Sequence, residues 1–398
     1  MRAFLVRITL ATSFALAALA GCGGGGSSSP AAATPAATPA PDLHAAIDQV
    51  MSSTLASTGA TAATITVMKG GQVLHDQGYG HLDAAGTQSL PANTLMLTAS
   101  AVKPVTAAAI QRLAAQGKLS LADHVFCNGG NAPCWLPASL LSAGSDTRVG
   151  TITVQQLIAH QGGWDIGLHG NLDFDKQEAL VQQRAGLSEP PTQQDDIRFW
   201  LAQPLDFAPG SRAAYTNFGY LLLGRIVEQA AGTDYLAYVR SELLAPLGVP
   251  GNDFAGAASL LANRDPREPN YITGYQGPSV FMPGTTVVVT NGALNAPNWV
   301  AATTAITTSK AMASFAANFL IDTDANGVDQ GLNGTPLNGK THTGLHFGNY
   351  PGTSAIVRQL ASGTSYAVLM NKDDESGGAG YQPALMQRLD AALAAAGL

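Results

Sequence analysis

The chain has 398 residues, 46% of them hydrophobic and 12% charged, with a formal net charge of −7 at pH 7. Charge this sparse, without a basic run, argues against nucleic acid as a partner. The length exceeds what one compact pair of layers needs, so two lobes or one large domain are expected.

Arg2 and Arg7 flank the start of an apolar stretch, Ile8 to Leu19, too short to span a bilayer as a stop-transfer helix. It runs into Leu19-Ala20-Gly21-Cys22, which resembles the lipobox of bacterial lipoprotein signals. That resemblance implies cleavage before Cys22, acylation of the cysteine and attachment to a membrane through the lipid. Gly23, rather than Asp, follows the cysteine, which by the same resemblance favours the outer membrane, facing the periplasm. Residues 1–21 are therefore read as a signal peptide. Residues 22–42 are rich in Gly, Ser, Ala, Thr and Pro, cannot bury a core and are read as a flexible tether. The folded domain is expected over 43–398.

Within it, Leu43 to Leu55 has the apolar spacing of a helix, with Leu43, Ala46, Ile47, Val50 and Met51 on one face. Thr61 to Met68 and Val73 to Tyr79 read as two strands around a Gly-Gly turn. Helical patterns follow at Val105–Gln116, Val154–Ala159, Gln193–Ala202, Phe218–Ala231 and Tyr235–Leu244. Between the first two lie Cys127 and Cys134, in a loop of Gly, Asn and Pro. In an exported protein these two cysteines are expected to form a disulfide. A second hairpin, Thr353–Gln359 with Ser365–Asn371, and a helix over Pro383–Ala396 close the chain. The pattern predicts an α/β fold of the α+β type. An antiparallel sheet is built from both termini and flanked by helices (about 43–98 and 305–398), with a mainly helical lobe inserted between (about 99–304). A cleft between lobes is the natural place for a site.

Three short motifs carry chemistry. Ser100-Ala101-Val102-Lys103 precedes an apolar helical run. A serine hydroxyl needs a base to become a nucleophile, and a lysine one turn along the same face can reach it. The helix start adds unpaired N–H groups that can bind developing negative charge. Tyr215-Thr216-Asn217 sits at the start of another helix, whose positive end would favour the Tyr215 phenolate. Asn217 offers donors and an acceptor for an amide or carbonyl. Lys340-Thr341-His342-Thr343-Gly344 precedes the last hairpin, and Gly344 would let a substrate lie against strand backbone. Each motif alone is common. Three in this order are specific.

Ser-x-x-Lys, Tyr-x-Asn and His-Thr-Gly in this order resemble the serine β-lactamase-related hydrolases: class C β-lactamases, D-alanyl-D-alanine carboxypeptidases (peptidase family S12) and esterases. The segment Ile152 to Asp165, the stretch Phe207 to Leu223, the Pro246-Leu247-Gly248 turn and Pro351 to Ala355 extend the similarity from about Leu43 to Leu398. The resemblance implies a β-lactamase/transpeptidase-like fold and an acyl-enzyme on Ser100, with no cofactor. Lys103, its pKa lowered by neighbours, takes the proton, and Tyr215 relays it to the leaving group and serves as base for deacylation. Asn217 holds the substrate amide, His342 and Thr343 line the site, and the N–H groups of Ser100 and Leu345 hold the oxyanion. The implied partner is a small peptide, β-lactam or ester, with peptidoglycan near an envelope lipoprotein. A catalytically inactive binding protein on the same fold is the alternative from another class, against which the intact Ser100, Lys103, Tyr215 and Asn217 argue.

Two departures stand out. Class C enzymes carry Lys-Thr-Gly where this chain has His342-Thr343-Gly344, and residues Leu345 to Tyr350 separate that motif from Pro351, more than the two or three of many members. Pro104 after Lys103 should make the first helical turn irregular. No metal site is expected: His342 and His346 would need a helix to share a metal, and their context predicts strand and loop. Asp322, Asp324, Asn326 and Gly327 resemble the start of a calcium loop, but Asn333 stands where the closing Glu belongs, so a solvated acidic turn is expected.

Overall fold

The computed structural model describes residues 42–127, 133–170, 172–321, 333–374 and 380–398. Cys22, the leader and nearly all of the tether lie outside the described residues, as does the acidic segment Asp322–Asp329. Among the described residues no helix is long and apolar enough to cross a membrane.

Helix α1 (Leu43–Thr58) starts where the Asp42 carboxylate accepts from the His44 N–H and ends at Gly59, whose φ of 74° closes the helix in the left-handed region. Strands β1 (Ala62–Lys69) and β2 (Gln72–Gly80) form the first hairpin. The middle of the chain contributes only short strands. β3 (Met96–Leu97), β6 (Phe254–Gly256) and β9 (Ala305–Thr307) make a three-stranded sheet. β4 (His124–Cys127) pairs in parallel with β5 (Cys134–Pro137), and β7 (Gln276–Pro278) pairs with β8 (Thr286–Val288). The expected disulfide joins Cys127 to Cys134 beside the β4–β5 pair. β10 (Gly344–Tyr350), β11 (Thr353–Gln359) and β12 (Thr364–Met370) complete a five-stranded antiparallel sheet in the order β10-β11-β12-β1-β2. The sheet is thus assembled from both termini, as the sequence pattern predicts. The strand-and-loop context expected around His342 and His346 is strand β10 from Gly344 onward, which lengthens the second hairpin to three strands.

Both faces of the sheet are covered, and period-two alternation divides them. Ala63, Ile65 and Val67 of β1 and Tyr366, Val368 and Met370 of β12 pack against α1 and α9 (Tyr381–Ala395). The intervening residues, including Ala62, Ala367 and Leu369, join the larger core on the other face. That core includes α2 (Lys103–Ala115), α3 (Val154–Ile158), α4 (Glu178–Ala185), α5 (Gln193–Leu201), α6 (Asn217–Ala231), α7 (Tyr235–Tyr238) and α8 (Ser309–Ala316). Helix α6 lies deepest, with Phe218, Tyr220, Leu221, Leu222, Leu223, Ile226 and Val227 all buried. A Cβ on Gly224 would stand 2.6 Å from that of Ala301, so this glycine lets the turn Val300–Thr304 close on the helix.

The two ends of the chain are tied by one side chain. Asn371, fully buried just beyond β12, accepts from the N–H groups of Thr61 (3.1 Å) and Ala62 (3.0 Å). It donates to Thr61 Oγ1 (2.9 Å) and to the Asn270 carbonyl (2.6 Å). Removing it leaves the buried Ala62 N–H without a partner and breaks three part-buried bonds beside it. Asn371→Leu should therefore lower unfolding free energy by roughly 3 kcal/mol, read by denaturant titration. A loss no larger than that of an exposed control such as Gln77→Ala would count against this role.

Candidate active site

Ser100 does not stand on an α-helix. It lies in a 3₁₀ turn, Ala99–Val102, and α2 begins only at Lys103 with Pro104 in its first turn. This is the irregularity that Pro104 predicts. The tight turn keeps residues three apart on one side, so the serine–lysine contact survives the change of helix type. Ala99, immediately before the serine, holds φ at 47° while fully buried, a conformation that costs a non-glycine residue about 1 kcal/mol or more.

Lys103 is completely buried. Its Nζ lies 3.0 Å from Ser100 Oγ, 2.7 Å from Asn217 Oδ1 and 2.9 Å from the Ala302 carbonyl. The first position comes from the 3₁₀ turn, the second from the start of α6 and the third from the turn that Gly224 admits. Burial lowers the Lys103 pKa to about 7, against the charges of Asp173 and Asp175, which pull it upward. Desolvation, rather than its neighbours, is therefore what lowers the pKa of this lysine. The contacts suit the neutral amine: two N–H groups meet two pure acceptors, and the lone pair faces the one partner that can donate, the serine hydroxyl.

The Tyr215 hydroxyl is 2.5 Å from Ser100 Oγ and 3.3 Å from Asn217 Oδ1, with the Lys103 amine 4.9 Å from the centre of its ring. Here the helix-end expectation fails. Burial raises the Tyr215 pKa far above its ordinary value and holds the hydroxyl neutral, because desolvation outweighs the field of a helix start. The backbone around it is fixed by residues without an assigned role in the sequence reading. His160, with φ at 53°, accepts from the Ala214 N–H through its carbonyl and from the Thr216 N–H through Nδ1. Asp173 accepts from the Asn217 N–H at 2.8 Å and from Thr216 Oγ1 at 3.2 Å.

The third motif is displaced. Gly344 abuts the Ile321 carbonyl and the Gln359 side chain, Thr343 is exposed, and the Leu345 side chain packs with the α1–α9 face. The strand meets the turn that carries Ser100 at Gly348, four residues on and about 13 Å along at the usual strand rise. A Cβ there would stand 2.2 Å from the Thr98 carbonyl. His346, fully turned inward, lies against the Ser100 backbone, and burial followed by the Lys103 charge lowers its pKa to about 3. His342, Thr343, Gly344 and Leu345 are thus not the residues brought to Ser100. His346-Phe347-Gly348 is. The signal was present in the spacing: only Asn349 and Tyr350 separate Gly348 from Pro351, which removes the departure noted in the sequence. Gln382 holds this stretch from behind, donating to the Gly348 and Ala355 carbonyls.

With this geometry in hand, comparison with known proteins is direct. Esterase EstB of Burkholderia gladioli is 30% identical over 227 residues, covering 55% of this chain and 53% of that protein. Protein Flp of Staphylococcus aureus strain N315 is 26% identical over 213 residues, 54% of this chain and 39% of that one. The matches thus span about half or less of these relatives' length. The D-amino acid amidase of Ochrobactrum anthropi SV3 superposes with a TM-score of 0.64 at 17% identity, covering 89% of this chain and 99% of that one. The octameric penicillin-binding protein homologue of Pyrococcus abyssi gives 0.60 at 19% identity over 87% and 76%. These two share the fold. The beta-lactamase family matches residues 47–391, and the chain belongs to that family.

Proposed function

We propose that the protein is a serine hydrolase that cleaves small carboxylic esters and amides through an acyl-enzyme on Ser100. The observation that carries this reading is the fully buried Lys103 amine 3.0 Å from the Ser100 hydroxyl. Neutral Lys103 takes the hydroxyl proton as Oγ attacks the carbonyl carbon. The N–H of Ser100 and an N–H of the outer β10 edge at Gly348–Tyr350 face the developing oxyanion. Tyr215, neutral and donating toward Oγ, gives its proton to the leaving group and regains one from Lys103. A water then attacks the acyl carbon and gives its proton to the Lys103–Tyr215 pair, the bond to Ser100 Oγ breaks, and the pair returns the proton to Oγ as the acid leaves. Asn217 positions both Lys103 and the substrate. Identity to an esterase supports an ester first. A D-alanyl-D-alanine peptide and a β-lactam follow the same steps, and a peptide fits the envelope setting that the Cys22 lipobox implies.

A fluorophosphonate should label the wild type and fail on Ser100→Ala, whose ester turnover should fall at least about 10³-fold. Gly348→Val should also lose labelling, because its side chain would collide with the nucleophile turn, while His342→Ala should keep it. Equal labelling of wild type and Ser100→Ala would reject the nucleophile. Loss in His342→Ala with retention in Gly348→Val would reject the strand placement.

The sign of the pH dependence follows from Lys103. Below its pKa the amine is protonated and cannot accept the serine proton, so kcat/KM for a p-nitrophenyl ester should rise with pH through a midpoint near 7. A profile that stays flat from about pH 5 to 9 would remove Lys103 as the base.

For the anchor, Cys22→Ser should move the protein from the membrane to the soluble fraction. Unchanged membrane association would set the lipid reading aside.

A further inference from the structure

At the end of β10 lies a cavity of about 520 Å³, walled by Leu172, Asp175, Tyr275, Leu294, Tyr350 and Asp373 among others. Two of its walls belong to segments that also build the site, and the Asp175 charge acts on Lys103. Tyr350 is two residues beyond Gly348 on β10, and Asp175 is two residues beyond Asp173, which holds the Asn217 N–H. Asp175 is 0% exposed, and neither of its carboxylate oxygens has a hydrogen-bond partner. On the same walls, the Tyr350 hydroxyl and Asp373 Oδ2 are buried without partners.

A carboxylate stripped of water and left unpaired costs several kcal/mol unless a cation meets it. Among the described residues no side-chain cation is paired with Asp175. Lys176 lies at the cavity but is placed over the Tyr350 ring, 5.6 Å from its centre, and Lys103 is committed to Ser100, Asn217 and Ala302. Among the described residues no three acidic, histidine or cysteine side chains converge closely enough to hold a metal ion. Apolar walls from Leu172, Tyr275 and Leu294 suit a hydrocarbon body instead.

We propose that this cavity is an ammonium subsite: the substrate that Ser100 attacks carries a protonated primary amine on an apolar body, and Asp175 receives it. The proposal rests on the acyl-enzyme reading above and names the substrate class for it. An α-amine and an amine at the end of a side chain share this chemistry.

The test uses competitive inhibition of p-nitrophenyl butyrate hydrolysis by hexylammonium and by hexan-1-ol, two chains of equal length that differ in charge. Hexylammonium should bind at least about tenfold more tightly. Asp175→Asn should bring the two inhibitors to parity while fluorophosphonate still labels Ser100. If that variant does not label, Asp373→Asn, which removes another carboxylate of the cavity wall, should weaken the preference. Equal inhibition in the wild type, or a preference that survives these variants, overturns the proposal. Glycine and 6-aminohexanoyl p-nitroanilides, each compared with its methyl-for-ammonium isostere, separate the two amine positions, and no preference in either pair also overturns it. A wild type that turns over no ester or anilide fails the catalytic reading instead. Calorimetry of hexylammonium on that same chain would then test the subsite by itself, with absence of binding overturning it.

Discussion

Everything around Ser100 depends on one desolvated amine. In water a lysine is protonated near neutral pH and useless as a base. Here complete burial removes the hydration that stabilises the ammonium, so the amine becomes available at the pH where a serine needs it. The same burial would be ruinous without partners. Asn217 and the Ala302 carbonyl supply them, and each comes from a different element. The position of α6, the closeness of the Val300–Thr304 turn and the 3₁₀ geometry before α2 are thus requirements of a single nitrogen.

The supporting shell explains why the middle of the chain is so tightly packed. Asn217 is useful only if its backbone is fixed, and Asp173 fixes it by accepting its N–H. Tyr215 can stand 2.5 Å from the serine only if the segment before α6 cannot move, and His160 holds that segment at the residues on either side. On the other side of the serine, β10 must come close enough for its backbone to face the reacting carbonyl. Gly348 permits that approach, and Gln382 braces the strand from the opposite face of the sheet. The neighbouring cavity, with its unpaired Asp175, sets a negative field against the same nitrogen.

Much of this was legible in the residue order. The hairpin and helix at each end announced a sheet closed from both termini, because alternation and turn glycines are local signals. Ser100, Lys103, Tyr215 and Asn217 were found by motif and spacing, and the structure brings all four within hydrogen-bond contact of one another. Two readings failed for a common reason. The Tyr215 phenolate rested on a helix end alone, and His342-Thr343-Gly344 rested on a string match alone. In neither case does the local sequence state how much water is excluded or which residue of a strand faces its neighbour.

The sequence by itself determined the Ser100–Lys103 pair, the motif on α6 and the class of fold, since each depends on contacts within a few residues or on periodicity. Only the tertiary structure decided that burial, not neighbouring charge, tunes Lys103, that Tyr215 stays neutral, and that β10 delivers Gly348 rather than Gly344 to the serine. Those outcomes turn on desolvation and on the approach of Gly348 to the Thr98 carbonyl, far apart in the sequence, and both exist only once the chain has closed on itself.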